Sequence, residues 1–74
     1  MTTVDARGLA CPLPLTMAKR RMATLARGET LVVLATDPEA PIDLGAWAAA
    51  DGHGFESFER EGWTEFRLVK GAPT

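Results

Sequence analysis

Thr30-Leu31-Val32-Val33-Leu34-Ala35-Thr36 is the stretch on which the fold turns. It is a continuous apolar run rich in β-branched residues. Such a run marks an internal strand covered on both faces or nearly so. Upstream, residues 12–26 carry a helical pattern, with Leu15, Ala18, Met22 and Leu25 at steps of three and four forming one apolar stripe. Lys19, Arg20 and Arg21 fall largely off that stripe. Gly28 stands where a C-terminal glycine belongs, and Arg27 suits the negative end of the helix dipole. Further upstream, Thr2-Thr3-Val4-Asp5-Ala6 is short and β-permissive. Strand, helix and buried strand make a βαβ unit, whose crossover is right-handed and whose strands are parallel.

Downstream, Asp37-Pro38-Glu39-Ala40-Pro41 breaks the strand. Asp37 suits an N-cap with Pro38 at the first helical position; a later start at Pro41 also fits. Ile42, Ala46, Trp47 and Ala50 then recur at helical spacing, somewhat weakened by Gly45. Asp51-Gly52-His53-Gly54 reads as a stop and a turn. Phe55 to Glu61 and Trp63 to Lys70 alternate partially around Glu61-Gly62, a hairpin signal, with Phe66 and Leu68 on one face. Gly71 to Thr74 should fray. The expected architecture is a single α/β domain over residues 1–74, in the order β-α-β-α-β-β. It is a two-layer sandwich, with two helices on one face of a four-stranded mixed sheet.

Composition bounds the function. At 74 residues the chain is near the size where one core supplies only a few kcal/mol. Its one cysteine, Cys11, excludes an internal disulfide and a zinc site built from several thiolates. A lone cysteine suits a reducing compartment, and neither a signal peptide nor a membrane span is visible. The expectation is a cytoplasmic protein, without membrane association, working as a monomer. The net charge of −2 gives no general attraction to nucleic acid. The charge is uneven, however. Residues 1–36 hold five basic and two acidic side chains, net +3; residues 37–74 hold three and eight, net −5.

Cys11 lies in the basic half, within Gly8-Leu9-Ala10-Cys11-Pro12-Leu13-Pro14. Proline has no N–H and fits the first turn of a helix, so Pro12 and Pro14 read as first-turn residues. Pro12 also drives Cys11 away from α geometry. Gly8 lets the loop take an unusual backbone angle or a close approach. A helix N-terminus favours a thiolate through its field and unpaired N–H groups, so Cys11 is expected to be an acidified, exposed nucleophile. A free cysteine is also among the most buried residue types, acting as a small hydrophobe. The prolines and the helix-mouth position favour the reactive reading.

No catalytic partner for Cys11 is evident from spacing. His53, the only histidine, reads as a solvated turn residue. Asp37 and Asp43 read as helix caps or solvated residues rather than an acid–base pair. Trp47 and Trp63 read as core or hairpin packing. Arg7, Lys19, Arg20 and Arg21 form either a docking surface for an acidic partner or an ordinary solvated face. Leu13 is either a hydrophobic docking contact beside the sulfur or a core residue, and Met17 can join either group. A thiol that accepts and passes on a group needs only exposure, activation and a docking surface. The competing classes are a regulatory interaction module and a redox sensor.

Asp5-Ala6-Arg7-Gly8-Leu9-Ala10-Cys11-Pro12-Leu13-Pro14 resembles the N-terminal signature of the TusA/SirA-like sulfur carriers. That signature is an acidic residue, Gly-Leu, a variable residue, then Cys-Pro-x-Pro. The likeness continues through Gly28-Glu29, Asp37-Pro38, Asp43-Leu44, Trp47 and Lys70, covering nearly the whole chain. The resemblance implies the same β-α-β-α-β-β fold and no cofactor. It implies that Cys11 takes a sulfane sulfur from a donor protein, a cysteine desulfurase or a rhodanese-like protein. Cys11 would hold it as a persulfide and pass it to an acceptor protein. Family members feed tRNA thiolation, molybdenum-cofactor assembly or sulfur-compound metabolism. Two departures stand out. The variable position in Cys-Pro-x-Pro is often acidic in relatives and is Leu13 here. Many relatives carry a second cysteine beside the tryptophan, where this chain has Ala48.

Overall fold

A computed structural model describes residues 2–71. The order is β1 (Thr2–Ala6), α1 (Leu13–Met22), β2 (Thr30–Ala35), α2 (Ala40–Asp51), β3 (Gly54–Arg60) and β4 (Trp63–Val69). The strands form one sheet in the order β1-β2-β4-β3. β1 runs parallel to β2, with Val4 opposite Val33; β4 runs antiparallel to both β2 and β3. This is the expected two-layer sandwich with a mixed sheet.

Alternation along the strands builds the core. Val4 and Ala6, Leu31, Val33 and Ala35, and Phe66 and Leu68 share the helix-covered face and are buried. The registers align Val4, Val33 and Phe66 across three strands. Ala18 and Met22 from α1 and Leu44, Trp47 and Ala48 from α2 close the layer, with Leu15 and Leu25 packed at its margin. Each large apolar side chain buried this way contributes roughly 1.5–3 kcal/mol. Val32 points to the other face yet is only 6% exposed. Its register neighbours there are Thr3 and Arg67. Thus β2 is covered on both faces, by helices on one side and by neighbouring strands' side chains on the other.

Three expectations change. Helix α1 ends at Met22, not at residue 26. The Lys70 ammonium donates to the Met22 and Leu25 carbonyls at 3.1 and 2.7 Å, satisfying the end of α1 from a strand far along the chain. Leu25 still packs on the core, so the apolar period outlasts the helix. Gly28, at φ +88°, belongs to the turn into β2 and donates to the Lys70 carbonyl. In α2 the core stripe is Ala40, Leu44, Trp47 and Ala48, while Ile42 is 67% exposed and Ala46 and Ala50 face outward. The helix starts at Ala40 with Pro41 in its first turn, matching the later of the two expected starts.

His53 is half-buried rather than solvated. Its Nδ1 accepts from the Gly71 N–H at 3.0 Å, and its ring meets Trp47 edge-on, with centroids 5.1 Å apart. Gly71 is therefore tied down, and a Cβ there would lie 1.9 Å from the Gly52 carbonyl oxygen. The fraying expected for residues 72–74 lies outside the described residues.

Replacing Lys70 by Met removes two charge-assisted bonds and leaves two helix-end carbonyls without that donor. We expect a loss of about 1–2 kcal/mol, read as a lower urea midpoint with an unchanged m-value.

Candidate active site

Cys11 is exposed, in the turn between β1 and α1, and its peptide bond to Pro12 is cis. Gly8 opens that turn at φ +81°, a left-handed conformation that favours glycine. The Gly8 N–H donates to Thr36 Oγ1 at 2.9 Å, fastening the turn to the end of β2. Pro12 is the N-cap of α1 and Pro14 sits in its first turn, buried. Pro14 is thus a first-turn residue as expected, whereas Pro12 stands just before the first turn, at the N-cap.

The surroundings of the sulfur were not legible in the sequence. Cys11 Sγ lies 2.8 Å from Asp43 Oδ2, donating its S–H to a carboxylate in the first turn of α2. The Cys11 backbone N–H donates to Asp37 Oδ2, and Asp37 Oδ1 accepts from the Glu39 N–H at 2.9 Å. Asp37 and Asp43 are both half-buried. Asp37 is therefore not the N-cap residue: Glu39 occupies that position without a side-chain hydrogen bond, and Asp37 bridges the connection before it to the cysteine turn. Asp43 is no idle cap either, since it holds the thiol. Both helices thus begin at the same end of the sheet, beside the sulfur.

This arrangement reverses the expected acidity. The Cys11 thiol is pushed up from 9.0 to about 11, first by its hydrogen bond to Asp43, with desolvation and the negative charges of Asp43, Asp37 and Glu39 acting the same way. A carboxylate accepts from S–H but offers nothing to S⁻, so it favours the neutral form. The helix mouth fails to compensate for a definite reason. Pro12 and Pro14 have no N–H to offer. The Leu13 N–H is committed to the Ala10 carbonyl at 2.9 Å, and the Cys11 N–H to Asp37. The two prolines at the helix start thus each remove one N–H donor.

The other expected site residues lie at graded distances. Leu13 is 48% exposed in the first turn of α1, which resolves its two readings in favour of the surface. Ile42 stands in the first turn of α2, so two exposed aliphatic side chains start the two helices. Arg7 is bidentate to Asp5 at 2.9 Å and lies over the Trp63 ring, 5.3 Å from its centroid. That pairing pulls the Asp5 carboxyl down to about 2. Lys19, Arg20 and Arg21 are exposed in the last turn of α1, roughly a turn and a half or more along the axis from its start. Arg20 and Arg21 line a groove of about 290 Å³ against the free edge of β1, with Thr3, Val4, Asp5 and Met17. His53 follows the far end of α2, a helix of twelve residues and so about 18 Å long, away from the sulfur. Among the described residues no group of three or more His, Cys, Asp or Glu side chains is arranged to hold a metal ion. No helix there is long and apolar enough to cross a membrane.

A lone exposed cysteine at the shared start of two helices, on this sheet order, can be set beside known proteins. The family model described as sulfurtransferase TusA matches residues 2–70. The chain belongs to the TusA family. It is 37% identical over 67 residues to the sulfur carrier protein TusA of Allochromatium vinosum, covering 90% of this chain and 88% of that protein. It is 48% identical over 59 residues to YrkF of Bacillus subtilis, covering 80% of this chain but only 32% of that longer protein. The crystal structure of a SirA-like protein from Desulfitobacterium hafniense superposes with a TM-score of 0.89 at 32% identity, covering 97% of this chain and all of the other. The family and fold implied by the resemblance are therefore correct, and the TusA family is one of sulfur transfer.

The raised thiol has a consequence for stability. Between about pH 9 and about pH 11 the folded chain retains a proton that the unfolded chain has released. The thiol's contribution is full below that window and lost as pH rises through it. The melting temperature of the native chain should therefore fall more steeply over this range than that of Cys11→Ser, as followed by circular dichroism.

Proposed function

We propose that this chain is a sulfur carrier that accepts a sulfane sulfur on Cys11 as a persulfide and relays it to an acceptor protein. The observation that carries this reading is a single exposed cysteine in a chain of a sulfurtransferase family. A carrier needs one accessible sulfur and no second cysteine to resolve its persulfide into a disulfide. The donor is a cysteine desulfurase or a rhodanese-like protein. The acceptor belongs to tRNA thiolation, molybdenum-cofactor assembly or sulfur-compound metabolism. The chemistry takes place in the cytoplasm, with no cofactor, and the chain works as a monomer. The redox-sensor reading loses support, because sensor cysteines have marked thiolate character.

Gly8, Pro12 and Pro14 shape the turn that presents the sulfur. Leu13, joined by Ile42, provides apolar contact next to it. Lys19, Arg20 and Arg21 attract an acidic partner from farther along α1. Arg7 contributes through its stacking on Trp63 more than through charge, since Asp5 neutralises it.

Incubation with a cysteine desulfurase and cysteine should add the mass of one sulfur atom to the intact chain. Cys11→Ser should add none while melting at the same temperature near neutral pH. A wild-type chain that stays unloaded, in a mixture where a known acceptor is loaded, removes the carrier reading. Charge reversal at Arg20 and Arg21 should slow loading by roughly tenfold at low ionic strength, with the difference shrinking as salt is added.

A further inference from the structure

We propose that Asp43 is the residue that keeps empty Cys11 in its protonated, unreactive form, so that the chain carries its own restraint on the nucleophile. The inference rests on the carrier reading for its biological meaning, but its physical content is independent of sulfur transfer. It stands first on geometry. Asp43 Oδ2 is 2.8 Å from Sγ, the only hydrogen bond that the sulfur makes among the described residues. Asp43 is itself placed by the start of α2, where helix polarity stabilises a carboxylate. The sulfur's own helix offers a thiolate fewer free N–H groups, for the reasons given above.

The groups facing the sulfur are consistent in sign. Asp37 and Glu39 act on it from the connection between β2 and α2, and Asp43 from α2 itself. On the β1–α1 side the charged residue is Arg7, which is committed to Asp5. With the thiol raised to about 11, about one molecule in ten thousand is a thiolate at pH 7.

Loading must overcome this restraint. The Cys11 sulfur forms a bond to the donor's sulfane sulfur, and the donor's S–S bond breaks. The electron pair of that bond leaves on the donor sulfur. The proton given up by Sγ ends on that departing thiolate. Cys11–SH and donor–S–SH become Cys11–S–SH and donor–SH, with no oxidant or reductant consumed. After loading, Sγ has no proton to give, so its bond to Asp43 exists only in the empty chain.

The test is the pH profile of reaction with dithiodipyridine, an uncharged disulfide, using the full chain. The wild-type rate should keep rising to about pH 11, and that of Asp43→Asn should level at a lower pH, still above the ordinary thiol value of 9.0 because desolvation and the charges of Asp37 and Glu39 remain. For each pH unit by which the thiol falls, the variant gains about tenfold in thiolate at pH 7 and loses about threefold in nucleophilicity, so it should react several-fold faster. Asp43→Glu should restore the wild-type profile, which a merely structural role would not predict. An Asp43→Asn rate equal to or slower than wild type overturns the inference. So does a wild-type profile that levels at or below pH 9, a result that stands even if neither variant folds. These outcomes are separable from the carrier reading: a chain that titrates as described but never gains sulfur loses that reading and keeps this restraint.

Discussion

The parallel ladder between β1 and β2 sets where everything else stands. Two parallel neighbours require a crossover, and the crossover is the cysteine turn followed by α1. The second helix then leaves β2 at the same end that the first helix occupies. Residues 11 and 43, far apart in sequence, are brought into hydrogen-bonding contact by this topology. Thr36, at the end of β2, fastens Gly8, and Asp37, one residue later, fastens the Cys11 N–H. The thiol is thus held by the strand that forms the centre of the core, although it is itself at the surface. The opposite end of the helix layer is closed by Lys70 and His53, which satisfy the end of α1 and the Gly71 N–H.

Much of this was legible because the signals are local. The run Leu31–Ala35, the stripe Leu15-Ala18-Met22 and the turn at Gly62 each announce an element within a few residues. The missed features share a different origin. The end of α1 depends on Lys70, which comes from the far side of β4. The buried face of α2 was obscured by its small residues. With Ala46, Ala48, Ala49 and Ala50 all apolar, a stripe can be drawn on more than one face, and Ile42 draws the eye to the exposed one. Within the site, Cys11 and its prolines could be found because they are adjacent. Asp43 could not, because its only local signal is an acidic residue in a first helical turn, the commonest place for one.

The competition at Cys11 also shows why a helix mouth alone does not acidify a thiol. The favourable field resides chiefly in unpaired N–H groups at short range. Two of the first residues are prolines, and the N–H groups of Cys11 and Leu13 are already used. A carboxylate at 2.8 Å then outweighs what remains. A motif that looks activating when read along one helix becomes restraining once the second helix is in place.

That restraint suits a protein whose sulfur is open to solvent. An exposed thiolate would react with any oxidant or electrophile that reached it, and this chain has no second cysteine to rescue it. On the carrier reading the asymmetry between the two states then matters. The empty sulfur is a donor to Asp43 and is held by it. In the loaded chain Sγ has no proton, so its hydrogen bond to Asp43 is gone. The acidic surroundings therefore hold the unloaded thiol quiet, and that hold ends once the sulfur is loaded.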